Sequence, residues 1–343
     1  MVAENGNIKE RRMGDTMIVL TGGCGFVGSN LLAALNARGE TDVVVCDNFG
    51  SDEKWRNVGK HEIAGVIKPE KLIEFLFQNQ GRIKTLFHLG AKSSTTESDA
   101  DDLIQTNFAL PVHLWNWCAD HKIRFYYASS ATVYGDGSKG FKDHFHPDSM
   151  AAQIPLNPHA WSKLAFDRWV VRRIAAQKPC PPQWAGLRFF SVYGPNEYHK
   201  GDQTSVAYKL YEQIKAGGIA KLFKSETPGV DHGGQKRDFI YVEDVVSVML
   251  WLFDHPEISG LFNVGTGKAR SFNELAHSIF VALGKDPDIR YIEQPDSLKG
   301  RYQNFTEADV QKLREKGYDK PFASVEEAVK KYVSLLESGD GYR

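Results

Sequence analysis

The sequence predicts an α/β protein, with a doubly wound parallel sheet and a smaller C-terminal α/β region. Two observations carry that expectation. Short apolar runs alternate with amphipathic helical segments through the first half of the 343 residues, the order that parallel βαβ units impose. The first of those runs, residues 17–20, ends in Gly22, Gly25 and Gly28 before an amphipathic stretch at 29–36, which reads as strand, tight turn and helix.

In that turn Gly22 permits the reversal and Gly25 lets a phosphate approach the backbone. Gly28 lets helix and strand pack closely, with the helix N-terminus facing the negative charge. The next strand, residues 43–46, ends in Asp47, about 20 residues on, where a carboxylate accepts from a ribose hydroxyl. Together they call for a dinucleotide and a Rossmann unit. A polar loop at 48–57 follows, then a short strand near 64–67, a helix over 69–78 and a strand over 85–89. Residues 90–96 are polar, 100–120 read as one long helix, and 124–129 as the next strand. In such a sheet, ligand sites lie at the carboxyl ends of the strands.

From Pro195 the pattern loosens. Residues 227–235 are rich in turn formers, 239–242 and 262–264 read as strands, and helices are expected at 245–253, 272–283 and 324–336. The expected organisation is a nucleotide domain at 17–190, rejoined by about 236–265, with a substrate-binding lid from 191–235 and 266–336. Residues 1–16 are polar and lack the apolar core of a signal peptide, and read as a disordered extension.

Lys and Arg number 42 against 43 Asp and Glu, a net charge of -1, so no general pull toward nucleic acid or anionic membrane is expected. No apolar run approaches the roughly 18 residues of a membrane span. Cys24, Cys46, Cys118 and Cys180 are far apart and show no C-x-x-C pairing; buried reduced thiols and a cytoplasmic compartment are expected, and no metal site.

Three residues suggest chemistry by type and place. Ser130 stands at a strand end, where its hydroxyl can meet a substrate oxygen. Lys163, on a helix beginning near Asn157, can hold a nicotinamide ribose and lower the pKa of a neighbouring acid. Arg237 is a natural partner for a diphosphate. Read singly, a turn Ser, a solvated Lys and a surface ion pair with Asp238 or Glu243 explain them equally.

The T-G-G-x-G-F-x-G turn at 21–28, Asp47, the S-S-A-T-V-Y-G run at 129–135 and Lys163 resemble the extended short-chain dehydrogenase/reductase family. Stretches 93–97, 192–201, 236–239, 262–267 and 299–303 are similar to its ADP-heptose 6-epimerase branch, and the likeness runs from Met17 to about Tyr332. That resemblance implies an epimerase of lipopolysaccharide core precursor synthesis. In that branch a bound nicotinamide takes hydride from C6 of ADP-heptose and returns it to the opposite face, with no net redox change. Two acid/base groups are implied, a motif Tyr and the Lys of H-K-G, which is Lys200 here. The cofactor site implied adds Phe26, Val27, Asn48, Lys54, Leu89, Gly90, Ala91, Ser93, Thr106, Val192 and Lys200 to the glycines, Asp47 and Lys163. The substrate site implied is Ser130, Ser191, Asp202, Lys209, Phe223, Lys224, Ser225, Glu226, Arg237 and Tyr302. A homo-oligomer, commonly a pentamer, is implied too.

Two departures stand out. The family's Tyr-x-x-x-Lys is His159-x-x-x-Lys163 here, which leaves a working replacement, a disabling change or an engineered change open. Ser191 stands where the family usually has Asn. On cofactor the lines diverge: Asp47 favours NAD by repelling a 2′-phosphate, whereas the resemblance favours NADP, with Asn48 and Lys54 offsetting that repulsion. NADP is the expectation and NAD the alternative. Competing readings are another nucleotide-sugar epimerase or reductase, and a catalytically weak nucleotide-binding protein. A dehydratase would carry an Asp-Glu pair where Ala131-Thr132 stand.

Overall fold

The computed structural model describes residues 17–94, 97, 99–295 and 303–343. The expected extension at 1–16, Thr95 and Thr96 of the 93–97 stretch, and Tyr302 with residues 299–301 lie outside them.

In chain order the large sheet takes β1 (Met17–Thr21), β2 (Val43–Cys46), β3 (Gly65–Ile67), β4 (Ile83–His88), β5 (Arg124–Ser130), β6 (Trp184–Phe189) and, much later, β11 (Gly260–Val264). Between β6 and β11 lie β7 (Ser191–Tyr193), β8 (Ala220–Phe223), β9 (Lys236–Arg237) and β10 (Phe239–Tyr241), and after it β12 (Arg270–Ser271) and β13 (Ile289–Ile292). The sheet has seven strands in the order β11-β6-β5-β4-β1-β2-β3, all parallel. The doubly wound expectation is met. The chain runs outward from β1 through β3 and returns on the other side of β1 with β4, so the order reverses between β1 and β4. Ligand crevices open at such a reversal.

The helices are α1 (Phe26–Ala37), α2 (Leu72–Gln78), α3 (Ala100–Ile104), α4 (Leu110–Asp120), α5 (Pro147–Ala151), α6 (Pro158–Ala175), α7 (Val206–Gly217), α8 (Val242–Asp254), α9 (Phe272–Ala282), α10 (Gln311–Glu315) and α11 (Val325–Glu337). One sheet face packs Trp115, Phe125, Tyr127 and Leu164 with α4 and α6. The other packs Leu31, Phe87, Tyr126, Val245 and Phe262 with α1 and α8. A third core, with Leu210, Phe239, Phe272, Leu275 and Tyr332, joins α7, α9 and α11 to short strand pairs. These pairs are β7 with β10, β9 with β12 and β8 with β13.

Two local expectations change, and one strand that was not expected departs from the apolar pattern of its neighbours. The helix expected over 100–120 is broken by a π-helical turn, Gln105–Ala109. There the buried Asn107 accepts from Lys92 N at 3.1 Å and donates to Lys92 O at 2.9 Å and to Ser162 Oγ at 3.0 Å, the kind of side-chain demand that a π turn accommodates. Strand β6 interrupts its apolar run with Gly186 and Arg188. Cys24, Cys46 and Cys118 are buried, but Cys180 is exposed, because it sits in the K-P-C-P-P connection before β6, where proline leaves few donors to pair in an interior. Among the described residues no helix is long and apolar enough to cross a membrane.

Candidate active site

A cavity of about 790 Å³ opens where the sheet order reverses. Its floor is the glycine turn. Gly22 holds a φ of +69°, and a Cβ there would meet Gly90 N at 2.6 Å, while one on Gly28 would lie 2.1 Å from Gly22 O. No larger residue fits either place without moving β1, β4 or α1. Gly25 caps α1 without a side-chain hydrogen bond, so the first helical N–H groups face the cavity as an anion cradle. The chain thus fits a dinucleotide's pyrophosphate.

At the end of β2, Asp47 is already engaged: Oδ2 accepts from Cys24 N at 2.9 Å and Oδ1 from Asn48 N at 2.8 Å. Lys54 Nζ donates to the same Oδ1 at 2.7 Å and to Asn48 O at 2.7 Å. The lysine offsets the carboxylate that would repel a 2′-phosphate.

Across the cavity, α6 starts from an Asn157 cap that accepts from Ala160 N at 2.9 Å, with Pro158 following it. His159, Lys163 and Asp167 recur every four residues and share one face of the helix. Lys163 Nζ donates to Ala128 O at 2.8 Å. Asp167, fully buried, accepts from Ser129 Oγ at 2.9 Å, Tyr127 OH at 3.1 Å and Arg188 Nε at 2.9 Å. Burial pulls Lys163 down to about 8, with Asp167 acting in the opposite sense. Burial, and then Lys163, pushes His159 down to about 3. The imidazole is neutral near pH 7, and its buried Nδ1 has no partner among the described residues. Ser130 Oγ accepts from Thr132 N at 3.2 Å and from Thr132 Oγ1 at 2.9 Å, which leaves its own proton to donate.

The third wall is the loop after β7. Lys200 lies 5.1 Å from the Phe26 ring centroid; burial lowers its pKa and Glu197 works against that. The loop is tied to the nucleotide side. Asn57, 1% exposed, donates from Nδ2 to Cys24 O at 2.9 Å and to Asn196 O at 3.0 Å, and the same nitrogen lies 3.1 Å from His199 Nδ1. Asn30 donates to Pro195 O at 2.9 Å, and Asn196 donates to Ser29 Oγ at 3.0 Å. The C-terminal segment straps over this junction: Arg343 N donates to Asn196 Oδ1 at 3.0 Å, Lys60 Nζ donates to Tyr342 O at 2.7 Å, and Arg56 lies 4.6 Å over the Tyr342 ring.

Of the residues singled out in the sequence, the cavity gathers Gly22, Gly25, Phe26, Val27, Gly28, Asp47, Lys54, Leu89, Gly90, Ala91 and Ser93 on the nucleotide side. It also gathers Ser130, His159, Lys163, Ser191, Val192, Lys200 and Arg237. Asn48, Thr106, Asp202, Lys209, Phe223, Lys224, Ser225 and Glu226 are not among its described lining residues. Lys209 instead donates to Asp202 O, and Lys224 pairs with Glu293. Thr106 sits in the π turn beside Asn107. Sequence reasoning missed His199, Gln203 and Phe272, which also line the cavity. His199 was visible inside the H-K-G run; Phe272 had no local signal, since only the packing of α9 brings it there.

Residues 18–265 match the model of the NAD dependent epimerase/dehydratase family. The chain is 44% identical over 335 residues to an ADP-L-glycero-D-manno-heptose-6-epimerase of Fusobacterium nucleatum, covering 95% of this chain and 100% of that one. It is 43% identical over 319 residues to the enzyme of that name from Nitratidesulfovibrio vulgaris, covering 92% and 97%. Among solved structures, the Helicobacter pylori ADP-L-glycero-D-manno-heptose-6-epimerase superposes with a TM-score of 0.77 at 28% identity, covering 95% and 97%. The Thermus thermophilus UDP-glucose 4-epimerase complex with NAD shares the fold, with a TM-score of 0.72 at 24% identity over 94% and 99%.

Proposed function

The chain belongs to the NAD dependent epimerase/dehydratase family, and from that premise we propose that it inverts C6 of ADP-D-glycero-D-manno-heptose to the L-glycero epimer with a tightly held NADP. The observation that carries this reading is the single cavity that joins the glycine turn, Ser130 with Lys163, and Lys200. A bound nicotinamide would supply the hydride chemistry, removing hydride from C6 and returning it to the opposite face of the resulting ketone. The chain's own residues do the rest. Ser130 donates its free proton to the reacting oxygen, and Lys163 holds the nicotinamide ribose and adds positive charge beside it. Lys200, its basicity tempered by burial, takes the hydroxyl proton as C6 is oxidised in one sugar orientation, and in the other orientation the ketone oxygen must receive its proton from the opposite side. Arg237, 8% exposed, serves the diphosphate. His159 occupies the place of the second acid/base group, but an imidazole held to about 3 gives up its proton too readily to be the acid of that half-cycle. We therefore assign turnover limited by the His159 side. NADP is supported over NAD by the Lys54 ammonium that covers Asp47.

The test gives the full-length chain and a His159→Tyr variant ADP-D-glycero-D-manno-heptose and follows the C6 configuration by proton NMR in deuterated solvent. The expected outcome is slow conversion by the wild type, faster by about 100-fold in the variant, with no solvent deuterium at C6. Deuterium at C6 would replace hydride return with proton abstraction, and absence of conversion by both would sink the substrate assignment.

A further inference from the structure

We propose that His199 is a second reader of the cofactor's 2′-phosphate, donating to it from Nε2 beside Lys54. The inference rests on the NADP reading above. Its first support is a count of donors. Of the three N–H bonds on Lys54 Nζ, two are committed, to Asp47 Oδ1 and Asn48 O, each at 2.7 Å. One remains for a phosphate whose three terminal oxygens accept several. The same wall of the cavity must supply the rest.

His199 is built to do so. Asn57 Nδ2 carries two hydrogens and faces three acceptors, Cys24 O, Asn196 O and His199 Nδ1, at 2.9 to 3.1 Å. Because that nitrogen only donates, a proton on Nδ1 of His199 would set N–H against N–H across 3.1 Å, so the ring proton resides on Nε2. Among the described residues nothing accepts from Nε2, which is not among the buried unpartnered atoms, and His199 lines the cavity together with Asp47 and Lys54. A neutral N–H donor with its tautomer fixed from behind is thus presented to the adenosine end. Burial lowers the imidazole's pKa, and Lys54 and Lys200 lower it further, with Asp52 and Asp47 opposing them. The donor is accordingly a neutral imidazole that adds no fixed charge. It can discriminate between NADP and NAD because only the former offers an acceptor there; a ribose hydroxyl is met by Asp47 instead.

The test is titration calorimetry of the full-length chain with NADP and, separately, with NAD, for the wild type, His199→Ala and His199→Gln. His199→Ala is expected to weaken NADP about tenfold and NAD by less than about twofold. His199→Gln can accept from Asn57 through its carbonyl and donate through its amide, and is expected to recover most of the loss. Equal weakening of both nucleotides would assign His199 to holding the Lys200 loop and overturn the proposal, as would no change in either. The NADP reading fails separately if the wild type binds NAD more tightly than NADP. In that event the proposal stands only if His199→Ala still weakens NADP selectively, and falls if it does not.

Discussion

His159 changes the acid stability of the molecule as well as its chemistry. It and His88, both buried, are pushed from 6.5 down to about 3, by burial first and by the charge of Lys163 second. Unfolding returns each to its ordinary value, so between pH 6.5 and about 3 the unfolded chain binds more protons than the folded one. Stability is therefore fully present above pH 6.5 and is lost as pH falls toward 3. Urea midpoints measured near neutrality and near about pH 4.5 should differ by less in His159→Tyr than in the wild type, with a proton uptake on unfolding smaller by about one. An unchanged uptake would mean that the imidazole is not held neutral. The substitution itself was legible in the sequence, as His159 four residues before Lys163. Its protonation was not, because burial depends on β5 and α6 closing over it.

Strand β6 shows where element-scale reading fails. Its Gly186 and Arg188 break the apolar run that marks a buried strand, and both are explained only by neighbours far away in the chain. A Cβ on Gly186 would lie 2.4 Å from the Tyr127 ring. Arg188, 1% exposed, pairs with Asp167 and donates from Nη1 to Tyr134 OH at 2.9 Å, and Tyr134 donates to Asn263 Oδ1 at 2.6 Å. Strands β5, β6 and β11 and helix α6 are joined by this buried chain of polar groups. Arg188→Met is expected to cost about 3–5 kcal/mol in urea denaturation by stranding Asp167, and adding Asp167→Asn should recover much of it. Equal losses in the single and double variants would deny the coupling. By contrast β1, β2 and α1 were readable nearly to their ends, since their pattern depends only on local periodicity and the glycine turn. Helix α7 and strands β8 and β13 were not, because their register is set by one another.

Across the whole molecule, the strap ties elements separated by most of the chain. Residues 340–343 contact Lys60, Arg56, Asn196 and Tyr198, and so hold the Lys54 turn against the Lys200 loop. Deleting these four residues is expected to lower the melting temperature by only a few degrees. Amide exchange should rise together in residues 53–57 and 196–200, and the nicotinamide dinucleotide should bind more weakly. Faster exchange in only one of the two segments would show that they are not joined through the strap. None of this was legible in the sequence, where Gly341-Tyr342-Arg343 carries no periodic or motif signal.

The strap also bears on the order of events during synthesis. Translation proceeds from the N-terminus and domains fold as their residues emerge, so the glycine turn, β4 and β5 can form long before residues 340–343 leave the ribosome. A nascent chain would then have a sheet able to receive a nucleotide, but not yet the clasp that fastens the second lysine beside it. On this order, residues 340–343 complete a junction begun by the turn after the first strand.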